Sequence, residues 1–176
     1  MKKLTFIYCL AGLLVAGCTS KELSREEAHQ LIQESQIYPR ILDFDIHCSD
    51  PQQAQAVLAA GLEKEGLVTV QKTQKLGDVG KPLIQFTPKA QPYLLPTSPE
   101  DKELDVQKVK LAEEELVEVT GVTTEKDGNS AVVEYTTAYK NVNPFAALRQ
   151  NGFPGKVNRK VQVFRQNNEW QIGMKK

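Results

Sequence analysis

From residue 106 onward, apolar and polar side chains alternate, and this alternation limits most strongly what the chain can fold into. Residues 131–139 place every second side chain on one face of a strand. Asp127-Gly128 is a strong hairpin signal, and Asn143-Pro144 begins one short helix. Further strand-like stretches lie at 106–111, 116–124, 157–165 and 170–174. The sequence therefore predicts an antiparallel β-meander over 106–176 with one short helical insertion.

The first half of the chain contains helix signals instead. Ser24 and Glu27 have the spacing of a capping box, and Asp50-Pro51 is an N-cap followed by proline at the first helical position. Residues 40–47 alternate as a strand does, and 67–87 contain two strand-like stretches that predict a hairpin. The predicted fold class is therefore α+β, with N-terminal helices and a β-hairpin followed by the antiparallel meander.

A cluster of prolines divides the two halves. Pro92, Pro96 and Pro99 lie among small polar and acidic residues, a composition that no regular element tolerates. We expect a proline-rich linker or surface loop over 92–105, between one subdomain at 24–91 and another at 106–176.

The N-terminus has the composition of an export signal. Two lysines precede an apolar run from Leu4 to Val15, which is shorter than the roughly 20 residues that span a bilayer. The run ends in Val15-Ala16-Gly17-Cys18, which resembles the lipobox of bacterial lipoproteins. The resemblance implies that residues 1–17 are removed by cleavage between Gly17 and Cys18. It also implies that Cys18 is lipidated and that its new amino group is often acylated, for example with palmitate.

The same resemblance implies where the protein resides. Two or three acyl chains give stable membrane attachment, whereas one chain holds only marginally. Residues 18–23 are then a short tether that leads to a domain outside the cytoplasm. Thr19 follows the lipidated cysteine where an aspartate would stand in lipoproteins kept at the inner membrane. In a Gram-negative host this favours the outer membrane, with the domain facing the periplasm.

A second, local resemblance covers residues 62–90. Gly66-Leu67-Val68, the predicted hairpin and Thr87-Pro88-Lys89 are similar to the wing of winged-helix regulators. Phe86 and Ala90 stand where that family has leucine and glycine, and only one helix of the helix-turn-helix pair is evident. We interpret the likeness as one of shape, because an export signal takes the domain away from the chromosome. The balance of 22 basic and 22 acidic residues likewise favours no nucleic-acid partner.

Few residues have a pattern typical of catalysis. Cys48 has no intramolecular disulfide partner in the processed chain, and a lone cysteine is either a reactive thiol or a buried apolar side chain. Asp43 and Asp45 share one face of a strand, as an acid/base pair would. The two histidines lack metal-ligand spacing. We expect no catalytic residue, metal or cofactor; the alternative is a small envelope enzyme that uses Cys48 or the Asp43 and Asp45 pair.

Charged and aromatic residues predict a binding surface. Residues 100–127 contain ten acidic and four basic side chains, whereas 140–176 contain eight basic and one acidic. These sets either pair across neighbouring strands or leave a basic hairpin for an anionic partner. The aromatic side chains either fill the core or line a ligand pocket. The expected contact residues are Tyr135, Tyr139, Arg159, Lys160 and Trp170.

Together these features predict a membrane-anchored extracytoplasmic lipoprotein that acts as a non-catalytic binding or assembly module of the cell envelope. Its expected partners are the membrane, through the lipid anchor, and an envelope protein, polymer or lipid that the sequence does not identify.

Overall fold

A computed structural model describes residues 22–173. The predicted signal peptide, the cleavage site at Gly17 and the lipidated Cys18 lie outside the described residues. The helices are α1 (Arg25–Glu34), α2 (Pro51–Ala59) and α3 (Pro99–Glu103), with 3-10 helices at Leu76–Asp78, Pro88–Tyr93 and Pro144–Leu148. The strands are β1 (Arg40–His47), β2 (Val68–Val70), β3 (Ile84–Phe86), β4 (Val106–Thr124), β5 (Ser130–Lys140), β6 (Val157–Gln166) and β7 (Glu169–Ile172).

One curled antiparallel sheet of five strands organises the structure, in the order β1-β4-β5-β6-β7, and β2 and β3 form a separate pair. The predicted combination of helices with an antiparallel sheet is confirmed. β4 to β7 follow one another as a meander, whereas β1 adds at the edge by pairing with the first half of β4. The sheet therefore joins residues from both sides of the proline-rich segment at 92–105.

β4 is a single strand of 19 residues where the sequence predicted two. The charged stretch between the predicted strands stays paired, because Ala112 lies opposite Leu42 of β1 and Glu114 lies opposite Tyr139 of β5. The β1 to β4 register shifts once and the β4 to β5 register shifts twice. Such bulges bend a strand and increase its twist, which accounts for the curl of the sheet.

Two groups of buried apolar side chains form the core. The first lies beneath α2 and the short hairpin and includes Ile46, Leu62 and Phe145. The second lies where α1 packs through Ala28 and Ile32 on β5 and β6. Along β4, the residues of the first group end at Leu111 and those of the second begin at Leu116. The stretch between them is the place where a polar group enters the interior.

The folded part begins close to the predicted lipid anchor. Ser24 caps α1, since its side-chain oxygen accepts the Glu27 N–H at 3.1 Å and the Glu27 carboxylate accepts the Ser24 N–H at 3.1 Å. Leu23, one residue earlier, is only 5% exposed and packs in the second group of the core. No helix among residues 22–173 is long and apolar enough to cross a membrane.

Candidate functional site

A fully buried carboxylate lies between the two halves of the core. Glu114 is 0% exposed, although it sits in a run of three glutamates on β4. A lone buried carboxylate would be strongly destabilising, so its hydrogen-bond partners decide what this region can do.

Three side chains satisfy Glu114. Arg159 of β6 donates two hydrogen bonds to Oε1, from Nε at 2.9 Å and from Nη2 at 2.8 Å, and Thr137 of β5 donates a third at 2.6 Å. Arg40 of β1 donates to Oε2 from the other side. Burial raises the pKa of Glu114, but the hydrogen bonds from Thr137, Arg159 and Arg40 outweigh burial and hold that pKa below its usual range. Two guanidinium groups therefore share one carboxylate, which leaves one surplus positive charge.

Two tyrosines flank this group. The hydroxyls of Tyr38 and Tyr135 lie 3.3 Å apart, and their rings meet edge to face at 6.1 Å. Burial raises the pKa of Tyr38, and the contact with Tyr135 adds to the shift. The Tyr38 phenol therefore stays neutral at physiological pH, and it lies close enough to Glu114 and Arg159 for their charges to act on it.

Next to Arg40, a cleft of about 890 Å³ opens along β1. Residues 40–44 form one wall, the first turns of α2 form the opposite wall, and Leu148 to Gln150 close one end. The Oε1 atom of Gln53, a lining residue, is buried without a hydrogen-bond partner among the described residues. The cleft combines an apolar interior with a few polar groups, which is the usual character of a ligand site.

Arg149 brings a further positive charge to this cleft. Its guanidinium lies 4.8 Å from the centre of the Phe153 ring and 5.9 Å from that of Tyr139. The two rings are themselves 4.8 Å apart, so the side chain is held by stacking. Among residues 22–173, no carboxylate pairs with Arg149.

The five expected contact residues do not form one site. Arg159 binds Glu114, Tyr135 lies opposite Arg159 in the sheet, and Tyr139 lies opposite Glu114. Lys160 points to the other face of the sheet, where its ammonium binds Glu134 at 2.5 Å. Trp170 lies on β7 beneath Arg165, whose guanidinium is 5.7 Å from the indole.

Sequence reasoning did not identify the residues that link these positions. Glu114, Arg40 and Arg149 were in no predicted motif, and Thr137 was assigned only to a strand face. A signal was present, because three consecutive glutamates in a strand must send at least one side chain towards the core. Some acidic and basic side chains of the two sets do pair across neighbouring strands. Arg159 pairs with Glu114, and Lys156 pairs with Glu118 at 3.1 Å.

The Asp43 and Asp45 pair lies on the exposed side of β1. One ammonium, that of Lys108, binds both carboxylates, at 3.2 Å from Asp43 and 2.6 Å from Asp45. Side chains that are 41% and 48% exposed keep nearly half of their contact with water. The arrangement is that of a solvated cross-strand ion pair.

Cys48 is 7% exposed, and burial together with the nearby Asp105 raises its thiol pKa to about 11. At pH 8 only about one thiol in a thousand is then ionised, and the thiolate is the reactive form. We expect iodoacetamide to modify native Cys48 at least about a hundredfold more slowly than the unfolded chain. Mass spectrometry of the alkylated protein measures this, with Cys48→Ser as the control that identifies the reacting residue. Rapid alkylation of the native protein would instead support the enzyme alternative.

No group of three or more potential metal ligands occurs within residues 22–173. No family model, no curated protein and no solved structure matches this chain.

Proposed function

We propose that the chain is a lipid-anchored lipoprotein of the cell envelope whose folded part acts as a non-catalytic binding or assembly module. The observation that supports this most directly is the Val15-Ala16-Gly17-Cys18 sequence a few residues before the folded part. The lipid on Cys18 supplies the location, and the folded domain supplies the contacts. In a Gram-negative host, Thr19 favours the outer membrane with the domain in the periplasm.

The position of Leu23 supports a close association with the membrane surface. Leu23 is buried in the core, so at most five residue steps separate it from the lipidated cysteine. An extended chain covers about 3.5 Å per residue, and the tether therefore spans no more than about 17 Å. A domain on such a short tether stays next to the headgroups, whereas a long linker would let it reach distant partners.

The proposed module uses both parts of the chain. The part of the chain that was predicted as a subdomain at 24–91 supplies α2 and β1 to the cleft. The meander at 106–176 supplies Glu114, its partners Thr137 and Arg159, and Arg149, while β1 adds Arg40. The described side chains support binding better than catalysis, because the buried carboxylate is already neutralised and the one described thiol is buried.

Replacement of Cys18 tests the anchor. In cells fed a radiolabelled or alkyne-labelled fatty acid, we expect label in the wild-type protein and none in Cys18→Ser, with transfer of most of the protein from the membrane to the soluble fraction. The matched control is Cys48→Ser, which should remain labelled and membrane-bound. Label that persists in Cys18→Ser, or membrane binding that does not depend on it, would contradict the proposal.

A further inference from the structure

The cleft follows the free edge of β1. Among residues 22–173, β1 is the outermost strand of the sheet, and β4 is its one partner. All five residues from 40 to 44 line the cleft. Because successive side chains point to opposite faces of a strand, a cleft over one face would be lined by every second residue. Because five successive residues line it, the cleft runs along the backbone edge of β1 and not over one face of the strand.

This edge presents unused backbone groups. In an antiparallel edge strand, about half of the N–H and C=O groups point away from the neighbouring strand. Within the described part of the chain, no backbone group of residues 40–44 bonds to anything outside the β1 to β4 ladder. The Ile41 side chain, at 48% exposed, is also open to solvent along this strand. The edge can accept another strand.

The charges at one end of the cleft indicate what that strand must carry. Arg40 and Arg159 share the single carboxylate of Glu114, and Arg149 has none. Arg40 and Arg149 both line the cleft. Arg40 lies opposite Glu114, and Glu114 lies opposite Tyr139. Arg149 stacks on Tyr139, so both guanidiniums belong to the end where β1 begins.

Two carboxylates also line the cleft, and both already have partners. Lys108 binds that of Asp43, and that of Asp50 accepts the Gln52 N–H as the N-cap of α2. A surplus of positive charge therefore lies at the end where β1 begins, and a carboxylate complements it.

Strand polarity makes the inference more specific. A strand that pairs antiparallel with β1 ends where β1 begins, so its C-terminus reaches Arg40 and Arg149. Five residues of β-strand extend about 17 Å, which matches a peptide of five or six residues.

We propose that this cleft binds the C-terminal segment of a partner protein as a sixth strand on β1, with the terminal carboxylate between Arg40 and Arg149. The inference rests on the proposed role as a binding module and names the chemistry of the partner. Backbone pairing supplies affinity for an extended peptide, and the two guanidiniums supply the preference for a free C-terminus. An acidic side chain in the last position is the other possible source of the carboxylate, and the experiment separates the two.

The test uses the purified full chain in detergent micelles and a fluorescein-labelled hexapeptide, Thr-Val-Gln-Val-Thr-Val, with a free C-terminus. We expect fluorescence anisotropy to show saturable binding that weakens about tenfold when the C-terminus is amidated. The amidated peptide with glutamate in the last position should recover affinity only if side-chain carboxylates suffice. N-methylation of alternate peptide nitrogens should abolish binding, because it removes the donors of the new ladder.

Arg149→Gln provides the protein variant, with an expected loss of about tenfold in affinity for the free-acid peptide and no change for the amidated one. Arg165→Gln is the matched control, since it removes a guanidinium that stacks on an aromatic ring outside the cleft. Cys18→Ser should bind the peptide normally, so a failure of lipid anchoring and a failure of peptide binding are distinguishable.

Three results would overturn the inference. The first is the absence of binding at about 1 mM peptide. The second is binding by the N-methylated peptide. The third is an equal affinity for the free-acid and the amidated peptide, both in the wild type and in Arg149→Gln.

Discussion

Replacement of Glu114 by glutamine is expected to lower the free energy of unfolding by about 2 kcal/mol. The variant keeps an acceptor for Thr137 but removes the charge that holds two arginines. Loss of one partner from a fully buried ion pair costs roughly 3–5 kcal/mol. The effect is smaller here because Arg40 and Arg159 are 53% and 34% exposed and can be solvated. Urea denaturation followed by circular dichroism measures it.

The same variant should change how stability depends on pH. The pKa of Glu114 is lower in the folded than in the unfolded protein, so its stabilisation is complete above the unfolded value of about 4.3. The stabilisation is lost as the pH falls through the lower, folded value. The difference in unfolding free energy between wild type and Glu114→Gln should therefore be constant near neutrality and shrink in acid.

Glu115→Gln is the control for this prediction. Glu115 is the neighbouring glutamate, and its side chain points to the other face of the sheet. Its replacement should alter stability by less than about 0.5 kcal/mol at any pH. If Glu114→Gln were as stable as Glu115→Gln, or if the difference from wild type did not shrink in acid, the described network would be wrong.

Truncation of Phe145 to alanine should have the larger effect on stability, a loss of about 3–5 kcal/mol. Phe145 is 0% exposed and is the largest side chain among those that are fully buried in the described residues. The centre of its ring lies 6.2 Å from that of Phe86 and 6.0 Å from that of Tyr93. Phe145 therefore joins the 3-10 helix at Pro144–Leu148 to the hairpin side of the core. Its removal leaves a cavity that the surrounding side chains cannot fill.

The control is Phe164→Ala, because Phe164 is 43% exposed on β6 and should cost less than half as much. Denaturant titration compares the two variants directly. Phe145 also precedes the residues that close the end of the cleft, Leu148 to Gln150. A native-like Phe145→Ala protein, with stability equal to that of Phe164→Ala, would contradict the assignment of this ring to the core.

The antiparallel sheet was predictable because alternation is a local property of the sequence. Every second side chain from Ala131 to Thr137 is buried, and Asp127-Gly128 marks the turn between β4 and β5. The partner of β1 was not predictable, since its pairing with β4 joins residues that are 59 (His47 to Val106) to 74 (Arg40 to Glu114) positions apart in the chain. No local pattern encodes that choice, and the proline-rich segment suggested a separation instead.

The candidate site was the least predictable part. The bulge opposite Leu42 and Asp43 shifts the register of β4, so simple alternation does not tell which of Glu113, Glu114 and Glu115 points inward. The sequence did nominate Arg159, Tyr135 and Tyr139, which lie around Glu114. Charge and aromatic character also led to the prediction of Lys160 and Trp170, which lie away from Glu114. Composition selects residue types, whereas register decides which of them meet.

The pairing of β1 with β4 has a consequence for the order in which the molecule can form. Residues 40–47 leave the ribosome long before residues 106–114, their complement in the ladder. Until then neither edge of this early strand has its partner, and unpaired strand edges are prone to pair with other chains. After synthesis, cleavage of the chain between residues 96 and 98 would leave two fragments that are still joined by the eight residue pairs between β1 and β4. We expect the folded structure to persist after this cleavage.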